Sequence, residues 1–128
     1  MSNLYYLASP YSHDSADVRE DRFHAACVAA AALMRVGVNV FSPIAISHPI
    51  ATIGGIDPHH ECWCVYDLCY LPFCAGMIVL QLPGWMESRG IAGEIRAMRE
   101  ARKPIVYVGL DDVMAAPGQV KRVLEAMR

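Results

Sequence analysis

Short apolar runs alternate with long amphipathic ones along this chain, and each apolar run closes on a small polar residue, a proline or a glycine. Leu4–Ala8 ends in Ser9-Pro10, Val38–Phe41 ends in Ser42-Pro43, Gly76–Leu82 ends in Pro83-Gly84, and Ile105–Val108 ends at Gly109. The third run, GMIVLQL, has almost no polar position, so a strand here is covered on both faces. Strands of this kind that alternate with helices form parallel sheets with helices packed on each side. The expected fold is therefore α/β: a Rossmann-like, flavodoxin-like parallel sheet of four to five strands in one domain over residues 1–128.

The helices follow from caps and stops. A helical pattern runs from Asp14 or Ser15 to Val36, with Gly37 placed to end it. Ser42 to Gly55 reads as a loop. Asp57-Pro58 reads as an N-cap and first-turn pair that opens a helix to about Tyr70. Ile91–Arg102 is helical, starting near Ser88 to Gly90, and Pro117–Met127 forms the last helix. Ligands of such sheets bind beyond the carboxyl ends of the strands, which are the chain's polar turns.

Composition narrows the ligand. Net charge is −2, with no basic tract. Polymeric nucleic acid needs clustered phosphate neutralisers and is not expected as a partner, whereas a mononucleotide needs one or two cations. No apolar run approaches the ~20 residues of a membrane span, and no signal peptide is read, so the expected location is cytoplasmic with no membrane partner. Hydrophobic residues make up 55% and charged residues 19%, an apolar balance that predicts a homodimer or higher homo-oligomer. Five cysteines on apolar segments suit reduced thiols. His59, His60, Cys62 and Cys64 resemble metal ligands by type, but the spacing is not C-x2-C and no second pair follows. A helix with buried thiols is expected there, and neither a metal nor an organic cofactor is.

The chemistry-bearing residues gather in GWMESRGIAGE, residues 84–94. Glu94 lies in the first turns of a helix, whose positive end favours an ionised carboxylate. Such a group can attack or stabilise a cationic carbon. Ser88 can cap the helix or hold an anion or sugar hydroxyl, and Gly90 lets a ligand approach the backbone. The pattern is neither G-x-x-x-x-G-K-[ST] nor G-x-G-x-x-G. Asp67 sits among Trp63, Tyr66 and Tyr70, where burial would raise its pKa and suit it to proton donation. Tyr5 and Tyr6 alternate on the first strand, so they face opposite layers. Arg19 and Arg22 share a helix face and can neutralise a phosphate. His48 lies in the predicted loop.

Taken in order, Tyr6-Leu7-Ala8-Ser9-Pro10, Tyr66-Asp67-Leu68, the apolar strand and Ser88-x-Gly90-x-x-x-Glu94 before Lys103-Pro104-Ile105 resemble the nucleoside 2-deoxyribosyltransferase superfamily. The pattern is nearest its deoxynucleoside 5′-monophosphate N-glycosidase branch. The resemblance covers nearly the whole chain. It implies Glu94 as nucleophile at C1′, Tyr6 orienting it, and Asp67 either handling the proton at the departing base or contacting the sugar. Members acting on free nucleosides carry Asp six residues before the Glu, and the monophosphate hydrolases carry Ser, as Ser88 here. The implied ligand is a small-molecule nucleoside or nucleotide. Ser9 and Arg19 are expected to bind it too, with His48 and Trp85 at the base. Base exchange, and nucleotide sensing without turnover, are the alternatives.

Overall fold

A computed structural model describes residues 3–57 and 66–127. Four strands, β1 (Leu4–Ala8), β2 (Asn39–Phe41), β3 (Gly76–Leu80) and β4 (Ile105–Val108), form one parallel sheet in the order β2-β1-β3-β4. Tyr6 pairs with Phe41 on one side and Met77 on the other, and Val79 pairs with Tyr107. The fold is the expected α/β, Rossmann-like arrangement with helices on both faces.

Residue alternation divides the core into two layers. Tyr5, Leu7, Ile78 and Leu80 face α1 (Ala16–Arg35), α4 (Leu110–Ala115) and α5 (Pro117–Ala126) through Ala29, Leu33, Val113 and Leu124. Tyr6, Ala8, Met77 and Val79 face α3 (Arg89–Glu100) through Ile91 and Met98, along with Leu71 and Cys74. The alanines of α1 let that helix sit close to the sheet. Gly76 permits another close approach, since a Cβ there would lie 2.8 Å from the Pro104 carbonyl oxygen.

Local signals account for the helix ends. The Ser15 side chain accepts from the Val18 N–H at the start of α1, and Gly37, at φ +85°, turns the chain out of it. Ser88 accepts from the Ile91 N–H at the start of α3.

Two expectations are corrected. The predicted loop after Ser42 is a helix, α2 (Pro43–Gly54), which carries His48. Ser42 caps it by accepting from the Ala45 N–H, and Pro43 stands in its first turn, where its missing N–H has no helical partner to lose. Pro49 lies inside α2 and costs it a backbone hydrogen bond, but the apolar stripe compensates by burying Ile44 and Ala51. The second correction is α4, a short helix where only a strand end was expected. Most of the helix predicted from Asp57 lies outside the described residues, as do His59, His60, Cys62 and Cys64. Residues 66–68 are helical.

Candidate active site

In the order β2-β1-β3-β4 the chain goes to one side of β1 for its second strand and to the other side for its third. That reversal opens a crevice at the carboxyl ends of β1 and β3. A cavity of about 810 Å³ lies there. The segment after β1 contributes Ser9, Tyr11, Ser12 and His13, and the segment after β3 contributes Gly84, Glu87, Ser88, Arg89 and Gly90. Arg22 from α1, Glu94 from α3, Ser47 from α2 and Asp67 complete its polar lining.

Glu94 is 8% exposed, and Tyr6, fully buried on β1, donates its hydroxyl hydrogen bond to Glu94 Oε2. The alternation that sends Tyr5 to the opposite layer is what aims Tyr6 at α3. Burial pushes the Glu94 carboxyl up to about 8; the Tyr6 hydrogen bond pulls it back in part, and the charge of Asp67 adds to the rise. This reverses the low pKa expected from the helix N-terminus. Glu94 is the sixth residue of α3, beyond the first turn where the macrodipole acts, so desolvation dominates. Tyr6 is itself raised far above its ordinary value, by burial first and then by the charge of Glu94. It therefore remains a donor at any physiological pH.

Asp67 is half-buried, and burial raises its carboxyl to about 7. Its Oδ1 has no hydrogen-bond partner among the described residues, and the same holds for the buried hydroxyl of Ser9. Both residues line the cavity, and these two buried oxygens keep polar capacity unspent.

The sequence expectation named Arg19 for the ligand, but of the two α1 arginines it is Arg22 that lines the cavity. Arg22 donates from Nη1 to the Ser12 carbonyl at 3.0 Å and from Nη2 to the Pro83 carbonyl at 3.1 Å, so it ties the two loops together. Arg19 instead donates to the His13 and Asp14 carbonyls and is not part of the lining. The two arginines stand three residues apart on α1, and only the path of both loops decides which one reaches the crevice. Trp85 is also outside the lining: it packs on Tyr107 of β4 with ring centroids 5.9 Å apart. His48 lies behind the wall, buried, and bonded to Tyr11 and Glu20. Ser9, Ser88, Gly90, Asp67 and Glu94 all line the cavity, and Tyr6 reaches it through Glu94. Tyr11 and Ser47 belong to the lining without having been singled out in the sequence. Ser47 was hidden by the loop assignment, although Ile44, Ser47, His48 and Ala51 already had helical spacing.

Residues 3–110, which include every strand and every residue of the cavity, match a domain family of unknown function. The chain belongs to that family, DUF1937. No curated protein matches the chain. Among the described residues no helix of this DUF1937 domain is long and apolar enough to cross a membrane, and no group of three or more His, Cys, Asp or Glu is placed to hold a metal ion.

Proposed function

We propose that this DUF1937 domain is an N-glycosidase that cleaves the base–sugar bond of a nucleoside 5′-monophosphate, with Glu94 as nucleophile. The observation that carries the reading is the Tyr6–Glu94 pair. It is a buried carboxylate held by a permanent phenolic donor, and it lines a cavity at the crevice where such sheets bind ligands. Together with the resemblance of the Ser88-to-Glu94 step to the deoxyribosyltransferase superfamily, it supports glycosyl transfer through a covalent intermediate.

In this mechanism Glu94 attacks C1′ as the N-glycosidic bond breaks, with positive charge developing on the sugar. The desolvation that disfavours the ionised carboxylate also strengthens its attraction to that cation. Tyr6 fixes the carboxylate by donating to Oε2, leaving Oε1 for the carbon. Asp67, protonated up to about 7, gives its proton to the departing base. Water then attacks C1′ of the glycosyl-enzyme and gives a proton to the Asp67 carboxylate, and the Glu94 carboxylate leaves. Ser88, Arg89 and the first N–H groups of α3 are suited to a 5′-phosphate, and Arg22 adds positive charge to the same wall. Glu87 opposes it from the rim.

The test is chromatographic detection of free base from a panel of nucleosides and 5′-monophosphates. The expected result is base release by the native chain and a loss of at least ~1,000-fold in Glu94→Ala, with Glu87→Ala close to native. Full activity in Glu94→Ala would remove the nucleophile. Labelled free base added to the same reaction distinguishes hydrolysis from exchange, since only a transferase incorporates the label. Binding without release would favour a sensor.

A further inference from the structure

His48 takes no part in the chemistry above, yet it is one of the few buried polar side chains. It is 7% exposed, stacks on Phe23 of α1 with ring centroids 4.4 Å apart, and has a partner at each nitrogen. Nε2 lies 2.6 Å from Glu20 Oε2, and Nδ1 lies 2.7 Å from the Tyr11 hydroxyl. Glu20 is on α1, His48 is on α2, and Tyr11 is on the segment after β1 that lines the cavity. The three side chains form one continuous chain of hydrogen bonds from the surface to the cavity wall.

The direction of that chain follows from donor capacity. An ionised carboxylate only accepts, so Nε2 carries the proton and donates to Glu20. In the neutral imidazole Nδ1 is then an acceptor, and the Tyr11 hydroxyl donates to it. Tyr11 keeps its proton: burial raises it above its ordinary value and the charge of Glu20 raises it further, against the lowering effect of Arg19. With its single hydrogen committed to His48, the Tyr11 oxygen has only lone pairs left to offer, beside the Arg19 guanidinium that engages the same side chain.

We propose that Glu20 and His48 are positioning residues that hold Tyr11 as a hydrogen-bond acceptor toward the cavity, so that this wall selects a ligand O–H or N–H. For the nucleotide substrate, on which this part rests, a sugar hydroxyl or base amino group faces Tyr11 and the phosphate is directed to the Ser88 and Arg89 wall. The arrangement orients the substrate; the bond-breaking groups remain Glu94 and Asp67.

Two measurements on the full chain test this. The first needs no ligand: long-range proton–nitrogen spectra of the chain labelled with nitrogen-15 histidine, at about pH 8, well above the ordinary imidazole range. The expected spectrum shows His48 protonated at Nε2 and bare at Nδ1, with Glu20→Ala reducing that bias. A proton on Nδ1 in the native chain would overturn the proposal, whatever the reaction proves to be. The second is steady-state base release from 2′-deoxynucleoside 5′-monophosphates. Tyr11→Phe is expected to raise KM about tenfold, the loss of one hydrogen bond to a ligand, with kcat changed less than twofold. Glu20→Ala is expected to shift KM the same way by a smaller factor, and Glu20→Gln, which restores an acceptor, to return it toward native. An unchanged KM in Tyr11→Phe would overturn the acceptor role. If the native chain releases no base, the glycosidase reading fails. The acceptor role is then decided by the histidine spectrum together with calorimetric titration of the same nucleotides into native and Tyr11→Phe protein. Equal affinity for the two proteins, or binding to neither, would count against it.

Discussion

The Tyr6–Glu94 pair ties stability to the same carboxyl that the mechanism uses. An unfolded glutamate titrates near 4.5, whereas Glu94 in the fold is raised to about 8. Between those values the folded chain holds a proton that the unfolded chain has released, so stability falls as pH rises through this window and the contribution is lost above about 8. Glu94→Gln keeps an acceptor for Tyr6 and removes the charge. It is expected to raise stability above pH 8 by on the order of 2 kcal/mol, read from urea unfolding, while leaving stability near pH 4 close to native. Activity is expected to show the complementary pattern. With Glu94 needed ionised and Asp67 needed protonated, the pair gives a bell-shaped kcat/KM profile with its maximum between about 7 and about 8. Asp67→Asn is expected to lower the rate and convert the bell into a curve that rises to an alkaline plateau. The identity of Glu94 was legible in the sequence; its protonation was not. The helix start favoured a low pKa, but burial is created by Tyr6 of β1 and by the packing of α3 on β3, segments separate in the chain, and burial is the larger effect.

At the scale of the elements, α3 and its entry loop carry the site. Ser88 caps α3 through its bond to the Ile91 N–H and also lines the cavity. Ser88→Ala is expected to lower stability by about 1 kcal/mol. Ser88→Asp keeps a capping oxygen and adds a charge favoured by the helix N-terminus, so its thermal midpoint is expected to stay at or above native. The same charge repels a phosphate, so Ser88→Asp is expected to shift preference from 5′-monophosphate to free nucleoside, measured as the ratio of kcat/KM for the two. Equal loss on both substrates would mean that Ser88 only caps the helix. Gly84, ahead of it, sits at φ +91°, and a Cβ there would lie 2.5 Å from Arg22 Nη2. Gly84→Ala is expected to destabilise by about 1–2 kcal/mol and to displace the arginine that joins the two loops. Caps such as Ser15, Ser42 and Ser88 are local and can be read from sequence. The α2 helix was obscured by Pro49, whose local veto is outweighed by tertiary burial of Ile44, Ser47, His48 and Ala51.

Across the whole molecule, the strand order determines where ligand chemistry can occur. The two apolar faces of β3 and the alternation of strand with helix sufficed to predict a parallel α/β sheet covered on both faces and the edge where ligands of such sheets bind. Which side of β1 each strand takes is a long-range outcome, and it alone brings the Ser9–His13 and Gly84–Gly90 segments to one crevice. Arg22 and Tyr11 enter the site for the same reason. Homo-oligomerisation belongs to the proposed reading. Exposed Ile50, Ile53, Phe73 and Met86, at 44%, 88%, 68% and 76%, leave apolar surface for a second copy to cover. Light scattering coupled to size exclusion is expected to give at least twice the monomer mass, and a strictly monomeric chain would contradict it.

The glycosidase account stands or falls on a covalent sugar at one carboxylate. Intact-mass spectrometry of the chain quenched during turnover of 2′-deoxynucleoside 5′-monophosphates, followed by peptide mapping, reads this directly. The expected result is an adduct with the mass of the deoxyribosyl phosphate on the peptide containing Glu94, absent from Glu94→Gln. Base release with no adduct under any quench condition, or with the adduct on another carboxylate, would contradict the assignment of Glu94.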